Sequence, residues 1–265
     1  MNKLQAFFQL KGKEENYQIQ KEKYMYLFNR CMKLFLKNIT LVSMGKNLKK
    51  PSIVDTGYGL FYVKKESHDL HIISGSYEFK VRELIEKLSR GSNIIIDVGA
   101  NIGKYSILAN KINPYSRIYA IEPERDNFNL LKKNIELNNI KNVTPIKIAL
   151  NNKKGVGRLY KCKTNTAGHS LKIKMEEFED VKTNTLDNLF GELDCIDLIK
   201  IDIEASELDI LKGAKKLLFR KKIKNIIIEI DDTNMGKIKS LFKSYGYKLK
   251  RIQYNNYLAT YDNLG

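Results

Sequence analysis

NIIIDVGANIG, residues 93–103, joins an apolar run to an acid and then to two glycines four residues apart. Ile94–Val98 is short and wholly apolar apart from Asp97, which is the pattern of a strand covered on both faces. Gly99 and Gly103 flank a tight turn, and the helical pattern that begins near Gly103 puts a helix N-terminus directly beyond it. Asp97 therefore stands at the carboxyl end of a buried strand, beside a turn whose backbone lets a ligand come close.

Working outward, buried-strand runs keep alternating with amphipathic helices. The pattern predicts a strand over Arg117–Ile121, a helix over Asp126–Asn139, a strand over Val143–Ile148 and a hairpin around Gly155. It continues with a short helix over Thr185–Phe190, a strand over Asp197–Ile201, a helix over Ser206–Phe219 and a strand over Lys224–Ile230. Asn234–Tyr245 reads as a helix, and Tyr247–Ile252 with Tyr257–Tyr261 as a closing antiparallel pair. Upstream, Ile53–Ser74 reads as two short strands, and Glu78–Ser89 as a helix stopped by Gly91. The sum is an open, doubly wound α/β domain with an N-terminal helical and hairpin cap. The division expected is residues 1–74 for a basic arm and small hairpin, and 75–265 for the ligand-binding domain.

The chain of 265 residues carries 47 Lys+Arg against 30 Asp+Glu, a formal charge of +17, with 43% hydrophobic residues. That apolar content excludes a disordered polypeptide. The surplus is uneven, because residues 1–50 alone hold 11 basic and 3 acidic residues. Such an arm is drawn to phosphate-bearing partners. Within it, Tyr24–Met44 is interrupted by Arg30, Lys33 and Lys37 on one helical side, with Tyr24, Leu27, Phe28, Cys31, Phe35 and Val42 opposite. This is an amphipathic helix and no membrane span. Residues 16–46 are accordingly expected either to dock on the domain or a second subunit, or to touch a membrane surface or a lipid-linked substrate. Cys31, Cys162 and Cys195 form no C-x-x-C pair, and the start shows no leader, so the expectation is a reducing, cytoplasmic compartment.

A second acid, Glu122, ends the next strand in IYAIEP, where doubly wound folds meet a ribose. A dinucleotide fingerprint needs G-x-G-x-x-G, yet the spacing here is G-A-N-I-G, and Asp97 repels a phosphate. S-adenosylmethionine has no phosphate and carries a sulfonium and an ammonium, so acids at the turn suit it better. The plain alternative is a glycine turn with an Asp helix cap and no ligand.

The runs IIIDVGANIGKYSILA, IYAIEPERDNFNLLKKNIELNN, IKIALNNKKG, VKTNTLDNL and LIKIDIEASELDILKGA with IIIEI resemble the FkbM-type methyltransferases, and GSYEFK is similar to a Tyr-Glu element preceding the first strand there. The resemblance spans roughly residues 75–260. It implies a Rossmann-like class I methyltransferase with a seven-stranded, mostly parallel sheet whose last strand is antiparallel. It also implies S-adenosylmethionine over Gly99–Gly103, with Glu122 on the ribose and Asp97 and Asn101 at the methionine end. Oxygen-directed methylation of a glycan, nucleotide sugar or related small molecule follows from it. One block departs: where the family runs like D-V-E-G-A-E, this chain reads Asp202, Ile203, Glu204, Ala205, Ser206, Glu207, with Ala205 in the place of a glycine.

LIKIDIEASE sets Lys200, Asp202 and Glu204 on one strand face at the ligand crevice. Asp202 is the first candidate for orienting or deprotonating an acceptor and Glu204 the second; Glu207 suits a helix cap or an anchor for the loop, and Glu229 ends a strand nearby, as a ligand contact or a cap. A strand-end acid paired with Lys200 and capping a helix is the alternative without chemistry. No metal site is expected: His68 and His71 fall on opposite faces of a strand, and His169 lies in a variable loop. The charge suggests a nucleic-acid methyltransferase as a rival, but nucleic acid is not the expected substrate, because the chain has no N-P-P-Y-type turn. A non-catalytic binding protein of the same fold is the other rival.

Overall fold

The computed structural model describes residues 50–65, 67–162 and 168–261. The amphipathic helix expected over Tyr24–Met44, and with it the contact expected of residues 16–46, lies outside them.

Seven strands form the central sheet. In chain order they are β3 (Ile94–Val98), β4 (Arg117–Ile121), β5 (Val143–Ile146), β9 (Ile196–Ile201), β10 (Ile223–Glu229), β11 (Lys248–Gln253) and β12 (Asn256–Thr260), and they lie side by side as β11-β12-β10-β9-β3-β4-β5. β5, β4, β3, β9 and β10 are mutually parallel, and β12 runs antiparallel to both β10 and β11. The winding reverses between β3 and β9, which opens a crevice beyond their carboxyl ends. This is the sheet the class I resemblance implies.

Side-chain alternation on the central strands explains the two layers. Ile94, Ile96 and Val98 with Ile199 and Ile201 face one core, shared with α5 (Leu186–Phe190), α6 (Glu207–Lys212), α7 (Lys215–Phe219) and α8 (Met235–Ser244). Ile95 and Leu198 face the other, shared with α2 (Phe79–Ser89), α3 (Lys104–Ile112) and α4 (Arg125–Leu137). Each fully buried isoleucine contributes about 1.5–3 kcal/mol of apolar burial, so unbroken apolar runs are required here.

Expectation and structure part company at three places. The segment after β1 (Ser52–Asp55) and β2 (Leu60–Val63) is not a strand, since His68 precedes and His71 lies within a one-turn helix, α1 (Asp69–Ile72). Asp69 is buried there and its Oδ2 accepts from Lys64 N at 2.9 Å, a local carboxylate bond that closes the chain into a turn. The single helix expected over Ser206–Phe219 is two. At Gly213 the chain passes so near Asn151 that a Cβ would lie 2.4 Å from its carbonyl oxygen, and the Asp187 carboxylate then caps α7 through Lys216 N and Leu217 N. The hairpin expected around Gly155 does not form there: Gly155 begins β7 (Gly155–Lys161), which pairs antiparallel with β8 (Glu177–Asn184), and β8 separates it from β6 (Ala149–Leu150) in a second small sheet.

The β1–β2 hairpin is held by side chains acting as a strand edge. Asn138 receives Leu60 N at 2.8 Å on Oδ1 and donates from Nδ2 to Leu60 O at 2.7 Å. One turn earlier on α4, Asn134 receives Tyr62 N at 2.8 Å and donates to Ile102 O, in the glycine turn, at 2.8 Å. Beneath them Phe61 and Val63 pack with Ile102, Ile107 and Leu130. Asn134→Ala strands two backbone groups and is expected to lower stability by about 2 kcal/mol or more, against about 1 kcal/mol for the more exposed Asn138→Ala. Chemical denaturation of both variants measures this, and equal, sub-0.5 kcal/mol losses (about the scatter of neutral substitutions) count against the role given to the pair.

Candidate functional site

β3 delivers its end to the crevice, where Gly99 N and Ala100 N both donate to Ile121 O at 3.0 Å and so lock the turn onto β4. Gly99 has φ +78°, and a Cβ there would lie 1.9 Å from the Asp202 carbonyl oxygen. No other residue fits. Across this contact, Asp202 N donates to Val98 O at 3.0 Å. The turn and the end of β9 thus form one wall of a cavity.

Of the residues expected from sequence, Gly99, Asn101, Glu122, Asp202 and Glu204 line that cavity together. Asp97 and Gly103 sit behind the wall. Asp97 is buried, its Oδ2 accepts from Ser106 Oγ at 2.7 Å, and its Oδ1 has no protein partner. Asn101 adopts φ +51°, and its N–H donates to Glu122 Oε2 at 2.8 Å. Glu122 Oε1 accepts from Glu124 N at 2.9 Å, so each carboxylate oxygen keeps a lone pair for a ligand hydroxyl. Burial pushes the Glu122 carboxyl up to about 8, although the two backbone N–H groups oppose the shift.

The β9 part of this wall carries a charge cluster. Lys200 is buried, and its Nζ lies 2.6 Å from Asp202 Oδ2. Glu229, at the end of β10, shares a side-chain hydrogen bond with Asp202; burial first and then the Asp202 charge raise its carboxyl to about 8. Glu204 also lines the cavity, and its carbonyl accepts from Ser170 Oγ at 2.8 Å. Glu207 is directed away from the cavity: Oε1 accepts from Ala205 N at 3.1 Å, in keeping with an anchor for the loop before α6. Ala205 itself has φ +61°, the left-handed backbone that its glycine counterpart would adopt without strain.

The small second sheet closes one side. Lys161 pairs with Glu124 at 2.5 Å, Arg125 N donates to Glu179 Oε1 at 2.9 Å, and Leu159 and His169 reach the cavity. His169 Nδ1 accepts from Cys162 N at 3.0 Å, and burial lowers its pKa, so the ring faces the cavity uncharged. Among the described residues no group of His, Cys, Asp and Glu could hold a metal.

Sequence reasoning missed Tyr77, Lys104 and Tyr105 as cavity residues. Tyr105 OH donates to Glu78 Oε2 at 2.6 Å, and Asn256 Nδ2 donates to Glu78 Oε1 at 3.0 Å. One signal for Lys104 was available, since a cation in the first turn of a helix opposes the helix dipole.

A doubly wound sheet, a glycine turn at its switch point and an acid on each neighbouring strand end define a class I methyltransferase. The Methyltransferase FkbM domain model matches residues 97–249. The chain belongs to this family of S-adenosylmethionine-dependent methyltransferases. It is 27% identical over 180 residues to Methyltransferase 1 of Beauveria bassiana, covering 58% of this chain and 72% of that one. With the hexuronic acid methyltransferase AglP of Haloferax volcanii it shares 29% identity over 153 residues, 57% of this chain and 60% of that one. Among solved structures, the precorrin-6y C5,15-methyltransferase of Geobacter metallireducens superposes with a TM-score of 0.43 at 14% identity, covering 69% of this chain and 88% of that one.

Two outcomes follow. Ala205→Gly exchanges left-handed strain for chain entropy and is expected to raise stability by about 0.5–1 kcal/mol, read by thermal melting. Glu229 binds a proton more tightly in the folded than in the unfolded chain, so its contribution to stability is present at acid pH and lost as pH rises through about 8. Glu229→Gln should therefore raise the melting temperature more at pH 8.5 than at pH 5.5; an equal shift at both would remove Glu229 as a raised acid.

Proposed function

We propose that this chain is an oxygen-directed methyltransferase acting on a hydroxyl of a glycan, a nucleotide sugar or a related small molecule. The observation that carries this is the Asp202–Glu229 carboxyl pair beside the glycine turn on the cavity wall, with Lys200 fixing Asp202. The name of the hexuronic acid methyltransferase among the relatives points the same way.

The residues present fit S-adenosylmethionine. Gly99 lines the cavity beside Glu122, which offers two oxygens, and the unpartnered Asp97 Oδ1, behind that wall, suits a ligand ammonium through water. Glu122 binds the ribose, and Asp97 and Asn101 serve the methionine end. The cofactor supplies a methyl carbon made electrophilic by its sulfonium.

The chain's own residues do the rest. Glycine-turn backbone and strand-end acids hold donor and acceptor within attack distance, which removes the entropy cost of their meeting. Asp202, immobilised by Lys200, orients the acceptor hydroxyl, and the Asp202–Glu229 pair takes its proton as the oxygen attacks. Glu204 faces the same space and receives a further acceptor hydroxyl. Leu159 and Ile203 give the cavity an apolar side that excludes water.

Asp202→Asn is expected to cut kcat by about a hundredfold or more while leaving calorimetric affinity for S-adenosylhomocysteine within severalfold. Wild-type turnover in that variant takes Asp202 out of the mechanism, and no cofactor binding by the wild type at millimolar concentration sinks the enzyme reading. Transfer of labelled methyl to a glycan extract should exceed transfer to bulk RNA. Labelling of RNA alone would reverse the choice of acceptor.

A further inference from the structure

The cavity contains a cation that the mechanism above leaves without a task. Lys104 opens α3, is 2% exposed and lines the cavity. Its Nζ donates to Tyr77 O at 2.9 Å and lies 4.7 Å from the ring centroids of both Tyr77 and Tyr105. Among the described residues no carboxylate forms an ion pair with it. The contrast is Lys200, whose Nζ stands 4.6 Å from the same Tyr105 ring but is closed by Asp202. Glu78, the acid on this side, is already taken by Tyr105 OH and Asn256.

A buried ammonium at a helix N-terminus, beside a second ammonium, is unfavourable unless an anion joins it. Ring faces and one carbonyl stabilise the charge only in part. Burial accordingly lowers the Lys104 pKa to about 7, with Glu78 and Asp202 opposing the shift and Lys200 and Arg82 adding to it. Of the other charged groups lining the cavity, Lys200 is closed by Asp202, and Glu122, Glu204 and Glu229 offer an anion no cationic partner.

We propose that the Lys104 ammonium, held against Tyr77 and Tyr105 on the cavity wall, receives the carboxylate of a bound small molecule. The inference rests on the reading of the cavity as a cofactor and acceptor site. Two molecules can present that group there: the amino-acid end of the cofactor, or an acceptor bearing a carboxylate, such as a uronic acid. In either case the ion pair completes the charge on the wall and fixes one end of the ligand.

Calorimetry on the full chain separates the cases. S-adenosylhomocysteine is titrated against its decarboxylated analogue S-adenosyl-3-thiopropylamine, and methyl glucuronide against methyl glucoside with S-adenosylhomocysteine present. Wild type, Lys104→Met and Lys104→Arg are compared. The expected result is a preference of about tenfold or more for a carboxylate-bearing ligand in the wild type, lost in Lys104→Met and kept in Lys104→Arg. Loss in the first pair assigns the cofactor carboxylate, and loss in the second assigns the acceptor. Free Lys104→Met should melt no lower than wild type, because an uncompensated charge has been removed.

No preference in the wild type, or one that Lys104→Met retains, overturns the proposal. So does a Lys104→Met that is destabilised while Lys104→Arg folds without the preference, which marks a structural lysine. If the wild type binds neither adenosyl compound, the cofactor reading itself fails and takes this inference with it; binding of both with equal affinity, and no preference for the glucuronide, fails the inference alone.

Discussion

The carboxyl edge of the sheet is organised by one close crossing, in which the Gly99 backbone passes where any side chain would strike the Asp202 carbonyl. The crossing lies at the reversal of winding between β3 and β9, the one place where helices leave neighbouring strands toward opposite faces. Loops splay apart above it, so a cavity forms; the backbones stay in contact below it, so the cavity has a floor. The glycine turn and the β9 acids become two parts of one wall, and their relative position does not depend on flexible side chains. A ligand held by the turn is thereby set against the acids within the tolerance of a strand pair.

The same geometry concentrates charge. Four carboxyl groups and two lysines face a space with an apolar side, and burial pushes Glu122 and Glu229 toward the neutral form. A sulfonium arriving in this space meets acids already arranged around it, which is electrostatic preorganisation for a cationic donor. Residues 1–50 supply 8 of the formal surplus of +17, so the net charge says little about the chemistry of this cavity.

Much of the fold was legible because its central strands admit only one reading. Ile94–Val98 and Arg117–Ile121 occur within the predicted bounds, since a strand covered on both faces must be apolar throughout. Short segments governed by a single polar contact were not legible. His68–Ile73 turns helical around the Asp69 carboxylate, and α6 and α7 separate because Gly213 presses on Asn151. At the site, the strand-end acids announced themselves by position, whereas Tyr77 and Tyr105 come to the cavity through Glu78, whose partners lie 27 and 178 residues away. Pairings of that separation leave no local pattern. Ala205 sits between the two cases: its odd place in the sequence was visible, but its positive φ required coordinates.

The asparagine pair on α4 has an evolutionary consequence. Asn134 and Asn138 serve backbone groups of Leu60 and Tyr62, which lie outside the stretch matched by the family model, while α4 lies inside it. Asn134 is interior to α4, where asparagine has little intrinsic use, whereas Asn138 is the residue that ends the helix. Selection on Asn134 thus comes in part from a segment more than 70 residues upstream. Among related chains, N-x-x-x-N at this place in the helix should appear and vanish together with the hairpin, so that α4 alone reports which upstream architecture a relative carries.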